Sequence, residues 1–166
     1  MKLIHLIRHS KSDWDSHFSR DEERPLSNRG RKNAKMLRNY LSEISFSVSE
    51  AIVSPSERTK ETFRILSKLG SFYKEFRYSK EIYEADGSEL LEILRSSGSD
   101  MESVLFIGHN PGLESLAETL IFKSEARTSS LFVKFPTSAF LSLVLDSDDW
   151  KDCGKIPCQI QRFWIP

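Results

Sequence analysis

The chain has 166 residues, which fits one globular domain and suffices to bury an extensive core. Lysine and arginine together number 24, as do aspartate and glutamate, so the formal net charge is zero. This balance argues against a nucleic-acid-binding protein and against electrostatic attachment to an anionic membrane, so any anion site must be local. The first apolar run is too short for a signal peptide and no run is long enough to span a bilayer, so we expect a cytoplasmic protein.

The first predicted element is a strand that ends in two basic residues. The run from Leu3 to Ile7 is almost entirely apolar, which is typical of a strand buried on both faces of a sheet. Arg8 and His9 follow it directly, at the position where open α/β sheets bind their ligands. A salt-bridging arginine and a histidine that caps the strand are the alternative interpretation of this dipeptide.

The rest of the chain alternates helices and strands. A charged segment separates the first strand from a helix over 26–44, whose start Ser27 can cap. The pattern then predicts, in order, a strand within 50–55, a helix over 56–70, a strand over 75–79, a helix over 87–98, a strand from Val104 to Ile107, a helix over 111–122, and late strands over 139–146 and 159–165.

This alternation indicates an α/β fold. We expect a three-layer α/β/α sandwich with a mostly parallel central sheet, to which the two late strands add an antiparallel edge. No internal repeat or linker divides the chain, so residues 1–166 are predicted to form a single domain. Cys153 and Cys158 match neither a C-x-x-C redox motif nor half of a four-ligand zinc site, so we expect ordinary thiols, with a disulfide or metal role as the alternative.

Three of the predicted parallel strands end in residues suited to anion binding. Arg8 and His9 follow the first strand, Arg58 lies near the start of the helix after the second, and His109 follows the strand that ends at Ile107. Because parallel strands end at the same edge of a sheet, these side chains can converge. The planar guanidinium group matches phosphate geometry, and helix N-termini add backbone donors, so the pattern predicts a local phosphate site.

Four segments, LIRHSKSDW, RPLSNRG, VSPSERTKET and FIGHNPG, closely resemble motifs of the histidine phosphatase superfamily, which includes the phosphoglycerate mutases. The short length and the pairing of the first two segments are most similar to the SixA-type phosphohistidine phosphatase branch. The resemblance extends from Leu3 to about Leu145 and implies a phosphoglycerate mutase-like fold. Ser10 is a departure, because the family usually has glycine or alanine there; we expect this small residue to be tolerated.

The resemblance also implies roles for individual residues. His9 would be the nucleophile that forms a phosphohistidine intermediate, and Arg8, Arg58 and His109 would surround the phosphoryl oxygens and stabilise charge in the transition state. Because these side chains supply the positive charge, we expect a reaction without a metal or another cofactor. Arg24, in the RPLSNRG motif, is either a further phosphate contact or a surface residue within its charged run.

The sequence leaves alternatives for the general acid. Glu84 lies where the superfamily places its acid-bearing segment, and Asp86 is the second choice. Either carboxylate could instead cap the helix that begins near Gly87.

The expected substrate is a phosphohistidine on a signalling protein, because short loops between the motifs leave little sequence for a lid. The alternatives are a broad-specificity phosphatase of small phosphomonoesters and a non-catalytic phosphate-binding protein. Neither nucleic acid nor membrane is an expected partner, and the expected oligomeric state is a monomer.

Further expectations concern residues close to the motifs. His5, inside the first strand, is predicted to be a core histidine with a hydrogen-bonded ring. Lys11 and Ser12 are predicted to lie in a solvated loop. Trp14 is predicted either to line the mouth of the pocket or to anchor that loop.

Overall fold

The structure is a computed structural model that describes residues 1–121 and 135–166. Within these residues the strands are β1 (Lys2–Arg8), β2 (Val48–Val53), β3 (Tyr73–Tyr78), β4 (Ser103–Gly108), β5 (Phe140–Leu145) and β6 (Gln159–Trp164). The α-helices are α1 (Asn28–Glu43), α2 (Glu57–Leu66), α3 (Gly87–Arg95) and α4 (Gly112–Ile121). The last residue of the helix predicted over 111–122 lies outside the described residues.

The strands form one sheet in the order β3-β2-β4-β1-β5-β6. Strands β1 and β2 both pair in parallel with β4, and β3 extends the parallel part beside β2. Strand β5 is antiparallel to both β1 and β6, so the last two strands form an antiparallel edge. The predicted sheet, mostly parallel with one antiparallel edge, is confirmed.

Helices cover both faces of this sheet. Ile4 and Leu6 of β1 lie in a core that includes side chains of α3 and α4. Ile7 lies in a second core with Leu37 of α1 and Phe63 of α2. Successive side chains of a strand point to opposite faces, so β1 contributes to both cores and is apolar almost throughout. The predicted three-layer α/β/α sandwich is therefore confirmed.

Strand β2 begins two residues before the predicted strand, because Ser49 extends it through hydrogen bonds to the neighbouring strand β4. The backbone N–H of Ser49 donates to Oγ of Ser103 in β4 at 2.8 Å, and the two hydroxyl oxygens are 3.3 Å apart. Each serine is about 5–6% exposed, so the pair satisfies polar groups inside the sheet. An apolar pattern cannot predict a strand position of this kind.

His5 is buried as predicted, but its ring is not hydrogen-bonded. It is 3% exposed, and neither ring nitrogen has a partner. The ring packs edge-on against Phe46 at 4.9 Å between centroids and stacks on Phe140 at 5.9 Å. Burial lowers the pKa of His5 to about 4, so the ring is neutral at physiological pH. The predicted hydrogen bond is therefore wrong, and the imidazole packs as an aromatic core side chain.

The two cysteines are free and buried. This confirms the prediction of ordinary thiols. Burial raises the pKa of both Cys153 and Cys158 to about 12, so neither is a thiolate at neutral pH.

Candidate active site

The basic residues predicted at the strand ends converge on one pocket. Strands β1, β4 and β2 are neighbours in the sheet and run parallel, so their carboxyl ends lie at one edge. A cavity of about 500 Å³ opens at that edge. Its walls include every residue named as a catalytic or phosphate-binding candidate from the sequence: Arg8, His9, Arg24, Arg58, Glu84, Asp86 and His109.

His9 is held with one ring nitrogen directed at the protein backbone. Its Nδ1 lies 2.7 Å from the carbonyl oxygen of Ser10. A carbonyl oxygen can only accept, so Nδ1 carries the proton and Nε2 keeps its lone pair. Burial, with a smaller contribution from the positive charges of Arg58 and Arg8, lowers the pKa of His9 to about 3. His9 is thus a neutral imidazole whose lone pair is on Nε2, as a nucleophile requires.

His109 is also held as a neutral ring. Its Nε2 lies 2.7 Å from Oγ of Ser54, and its Nδ1 lies 3.4 Å from Nη2 of Arg58. A guanidinium group can only donate, which places the proton of His109 on Nε2. Burial first, and then the neighbouring His9, lowers the pKa of His109 to about 3. Its ring therefore contributes polar contacts rather than a second positive charge.

Arg8 and Arg58 each retain an N–H group with no partner in the protein. Nη1 of Arg8 donates to the carbonyl of Phe135 at 2.9 Å, and Arg58 donates to Asp21. The Nε of each arginine is buried and has no hydrogen-bond partner. Buried donors without partners cost free energy. Both side chains also line the cavity, so their guanidinium groups can bind an anion there.

Arg24 belongs to the pocket, and its interpretation as a surface residue is wrong. It is 6% exposed and lines the cavity. Its guanidinium carbon lies 3.5 Å above the ring centroid of Trp14, and its Nη1 donates to Oγ of Ser12. Trp14 is 66% exposed at the rim. It therefore both lines the mouth and supports Arg24. Ser12 is buried, so the prediction of a solvated position is wrong for Ser12 and right for the exposed Lys11.

Asp21 is a pocket residue that the sequence did not reveal. Its Oδ2 accepts from Nη2 of Arg58 at 2.9 Å, and its Oδ1 accepts from Nη2 of Arg24 at 2.6 Å. The hydroxyl of Tyr83 donates to Oδ2 at 3.3 Å. These contacts lower the pKa of Asp21, with the hydrogen bond from Arg24 as the largest favourable contribution, so the carboxylate is ionised. Asp21 lies in a charged run with four other acidic or basic residues, Arg20, Glu22, Glu23 and Arg24, and no periodicity distinguishes it.

The two candidate acids have different surroundings. The carboxylate of Asp86 accepts from the backbone N–H groups of Ser88 and Glu89 at 2.8 and 2.9 Å, so it caps α3. Hydrogen bonds from Ser88 and Glu89 lower its pKa, which opposes a role as a proton donor. Glu84 is exposed, lines the cavity and has a positive φ of 58°. The capping alternative thus holds for Asp86, and Glu84 is free to face a substrate.

The hydroxyl of Ser10 is used away from the cavity. It lies 2.6 Å from Oγ of Ser138, and the backbone N–H of Ser10 donates to Oγ1 of Thr62 at 3.0 Å. Ser10 is fully buried and does not line the cavity. Its substitution for the usual glycine or alanine therefore adds an internal hydrogen bond, which supports the expectation that it is tolerated.

Two glycines bring the surrounding segments into place. A Cβ on Gly30 would lie 2.0 Å from the carbonyl oxygen of Lys11, so only glycine lets α1 approach the segment that follows β1. A Cβ on Gly112 would lie 2.1 Å from the carbonyl oxygen of Ala85. This second approach places the segment of Glu84 beside the start of α4, next to His109. Both glycines belong to the motifs RPLSNRG and FIGHNPG.

With this geometry in place, the family assignment rests on a direct match. The model of the histidine phosphatase superfamily (branch 1) matches residues 4–109. The chain belongs to this superfamily. The match covers more than half of the chain and includes Arg8, His9, Arg58 and His109. The resemblance inferred from the four sequence motifs is confirmed.

Two relatives match the chain at low sequence identity. The chain is 27% identical over 163 residues to a protein of Mycobacterium tuberculosis (strain H37Rv), covering 96% of this chain and 99% of that one. It is 29% identical over 124 residues to a chloroplastic protein of Arabidopsis thaliana; this alignment covers 69% of the chain and only 57% of that relative.

Two solved structures share the fold at low sequence identity. A protein from Nakamurella multipartitia assigned as phosphohistidine phosphatase SixA superposes with a TM-score of 0.84 at 21% identity, covering 99% of this chain and 96% of that one. The protein histidine phosphatase SixA complexed with tungstate superposes with a TM-score of 0.78 at 21% identity, covering 97% and 95%. The prediction of a SixA-type, phosphoglycerate mutase-like fold is confirmed.

Residues 1–121 and 135–166 contain neither a cluster of metal-binding side chains nor a helix that could cross a membrane. No group of three or more histidine, cysteine, aspartate and glutamate side chains there is arranged to hold a metal ion. No helix there has the length and apolar character needed to cross a membrane.

Proposed function

We propose that this histidine phosphatase hydrolyses phosphohistidine on a signalling protein, through a phosphohistidine intermediate on His9 and without a metal. One observation carries the proposal. The Ser10 carbonyl fixes the proton of His9 on Nδ1 and leaves the lone pair of Nε2 in a cavity that Arg8, Arg24 and Arg58 also line. A neutral nucleophile beside three guanidinium groups is suited to attack on an anionic phosphoryl group.

In the first step, Nε2 of His9 attacks phosphorus, and the bond from phosphorus to the leaving group breaks. The guanidinium groups of Arg8 and Arg58 line the cavity and can donate to the phosphoryl oxygens, whose negative charge they stabilise as the transition state forms. Nδ1 keeps its proton and its hydrogen bond to Ser10, so the positive charge that develops on the imidazole is stabilised by the carbonyl.

In the second step, a water molecule attacks phosphorus of the phosphohistidine. The bond from phosphorus to Nε2 breaks, its electron pair returns to His9, and inorganic phosphate leaves. The water loses a proton in this step, and a phosphoryl oxygen of the departing phosphate can accept it. The three arginines take over the electrostatic role that a metal ion has in other phosphatases.

The substrate assignment rests on the leaving group and on the rim. The leaving imidazole of a phosphohistidine can already carry a proton on its other nitrogen, so it departs neutral with little help from an acid. The rim carries exposed Lys11, Trp14 and Glu84, which suits a phosphoryl group presented on the surface of another protein. The SixA structure with tungstate, which shares this fold, belongs to a protein histidine phosphatase.

A second candidate substrate class is small phosphomonoesters. The exposed Glu84 carboxylate beside the cavity favours it, because an alkoxide leaving group must receive a proton as it departs. Both candidates use the same nucleophile and the same arginines. The two substrate classes differ in whether Glu84 must protonate the leaving group.

One set of assays tests the proposal. A chemically phosphorylated histidine phosphotransfer protein, phosphoramidate and p-nitrophenyl phosphate are compared as substrates in the presence and absence of EDTA. We expect kcat/KM to be highest for the phosphoprotein and to be unaffected by EDTA. A preference for p-nitrophenyl phosphate would select the phosphomonoesterase. Loss of activity in EDTA that a divalent ion restores would overturn the metal-free mechanism.

The matched control is His9→Ala. The side chain lines an existing cavity, so its removal enlarges the pocket and leaves both cores intact. We expect a folded protein that still binds phosphate and has lost turnover. The wild type should acquire an acid-labile phosphoryl label from substrate, and the variant should not. Activity within tenfold of the wild type would remove His9 from the nucleophile role.

A further inference from the structure

Asp21 connects two arginines of the phosphate site through one carboxylate. Its two oxygens accept from Nη2 of Arg58 and from Nη2 and Nε of Arg24, at distances between 2.6 and 3.2 Å. Nη1 of Arg58 also donates to the backbone carbonyl of Asp21 at 2.8 Å. The two guanidinium groups are therefore fixed relative to each other by a residue that lines the cavity.

Asp21 joins two buried arginines that come from different parts of the chain. Arg24 and Arg58 are 6% and 5% exposed, whereas the Asp21 side chain is 47% exposed. Arg58 comes from α2 and Arg24 from the segment before α1, so their own backbones do not link them. Tyr83 adds a donor to the same carboxylate from the segment that carries Glu84. Asp21 is the common point of three separate chain segments.

The same carboxylate opposes the binding of a phosphate. Among the described residues, Asp21 is the one carboxylate in contact with Arg24 and Arg58, and it offsets one of the three positive charges on Arg8, Arg24 and Arg58. A phosphate dianion in the cavity is repelled by it. An interaction that orients donors for the transition state while weakening ground-state binding raises kcat rather than affinity.

We propose that Asp21 is a positioning residue and internal counter-ion of the phosphate site, which orients Arg24 and Arg58 for phosphoryl transfer while keeping the affinity for inorganic phosphate low. This inference rests on the proposed phosphatase function. Its consequence is specific. Removal of the charge should strengthen phosphate binding and slow turnover at the same time.

The test compares Asp21→Asn with Glu22→Gln. Both changes remove one negative charge with little change of shape, but the side chain of Glu22 pairs with Arg20, outside the pocket. The readouts are the Kd of inorganic phosphate from calorimetric titration, kcat and KM for phosphoramidate, and Tm. For Asp21→Asn we expect phosphate to bind roughly tenfold more tightly, as loss of a nearby like charge at a partly exposed site implies. We expect kcat to fall roughly tenfold or more, as misplaced donors imply.

The control and the variant have different expected results. Glu22→Gln should resemble the wild type in all readouts. If Asp21→Asn binds phosphate no more tightly than the wild type, or keeps its kcat, the inference is wrong. A purely structural role would lower Tm, phosphate affinity and kcat together, which also contradicts it.

The same experiment distinguishes failure of the proposed function from failure of this inference. If the wild type hydrolyses no substrate while Asp21→Asn still binds phosphate more tightly, the phosphatase proposal is wrong and the counter-ion role stands. If the wild type turns over and the variant gains no phosphate affinity, the inference alone is wrong.

Discussion

The imidazole rings of His9 and His109 lie 5.1 Å apart between centroids, tilted by 53°. Burial opposes a positive charge on either ring, and the positive charges of Arg58 and Arg8 oppose it further. These effects lower the pKa of each histidine to about 3, against an ordinary value near 6.5. The pair therefore stays neutral through the whole physiological range and well into mild acid.

The first prediction follows from this neutrality. Because the folded-state pKa values lie near 3, both rings should remain neutral as the pH falls from 7 to 5. The measurement is an NMR pH titration of protein with labelled histidine rings, with His9→Ala and His109→Ala to assign the signals. The buffer must contain no phosphate, because a bound anion favours the charged ring. A titration midpoint near pH 6 for His9 would contradict the geometry described for its ring.

The second prediction compares the kinetic effects of replacing Arg58 and Arg24, the two arginines that bind Asp21. Arg58 donates to Asp21, approaches His109 and keeps a buried Nε without a partner, so Arg58→Ala should reduce kcat/KM by roughly 10³-fold or more. Arg24→Ala should reduce kcat/KM less and should act mainly by raising KM, because the N–H groups of Arg24 already donate to Asp21 and Ser12.

The control for this comparison is Arg58→Lys, which keeps the charge but loses the planar set of donors. It should remain strongly impaired, because a single ammonium group cannot donate to Asp21 and to a phosphoryl group from fixed positions. Steady-state kinetics on phosphoramidate give all three values. Equal and mild losses in the two alanine variants would place Arg58 outside direct contact with the phosphoryl group.

The fold and the central residues of the site were predictable because their signals are local. The apolar run ending at Arg8, the serine cap of α1 and the glycine motifs each specify a structure within a few residues. The alternation of strands and helices then places Arg58 and His109 beside His9, since parallel strands end at one edge. The antiparallel edge follows from the two late predicted strands, which a short charged segment joins.

The rest of the site was not predictable because it depends on tertiary contacts. Asp21 lies in a run of charges, and only the folded chain brings it to Arg58, 37 residues away. The burial of Arg24 depends on the stacking of Trp14, and the roles of Glu84 and Asp86 depend on which carboxylate reaches the first N–H groups of α3. The missing partner of His5 is likewise a property of the packed core.

The third prediction uses that buried histidine. The folded-state pKa of His5 is lowered to about 4, so between about pH 4 and 6.5 the unfolded chain binds more protons than the folded one. Stability should therefore fall as the pH falls through this range. A lowering of this size corresponds to about 3 kcal/mol at the acidic end.

The variant His5→Phe isolates this contribution, because phenylalanine suits the contacts with Phe46 and Phe140 and cannot titrate. Urea unfolding of both proteins at several pH values between 4 and 7 gives the two slopes. His9 and His109 contribute equally to both proteins, so the difference in slope belongs to His5. Parallel pH profiles for wild type and variant would show that His5 is not the buried, uncharged ring described here.

The last prediction concerns Glu84 and tests the acid and the substrate together. If Glu84 protonates the leaving group, Glu84→Gln should slow hydrolysis of an alkyl phosphate ester by about 10² to 10⁴-fold, the usual contribution of general acid catalysis. Phosphoramidate and phosphohistidine should lose much less, because their leaving groups can depart as neutral amines.

The matched control is Asp86→Ser, since serine also caps helices and the helix start should survive. Asp86 caps α3, so this variant should retain activity on both substrate classes.

The measurement is kcat/KM for an alkyl phosphate and for a phosphohistidine protein in the wild type and both variants. Equal losses on both substrates in Glu84→Gln would mean that Glu84 organises the pocket without transferring a proton. A loss confined to Asp86→Ser would return the acid role to Asp86 in spite of its hydrogen bonds to α3. The expected result is that Glu84→Gln is more selective for P–N over P–O bonds than the wild type. This result would show that phosphohistidine hydrolysis does not need the acid. The nucleophile and the arginines would then suffice for that substrate.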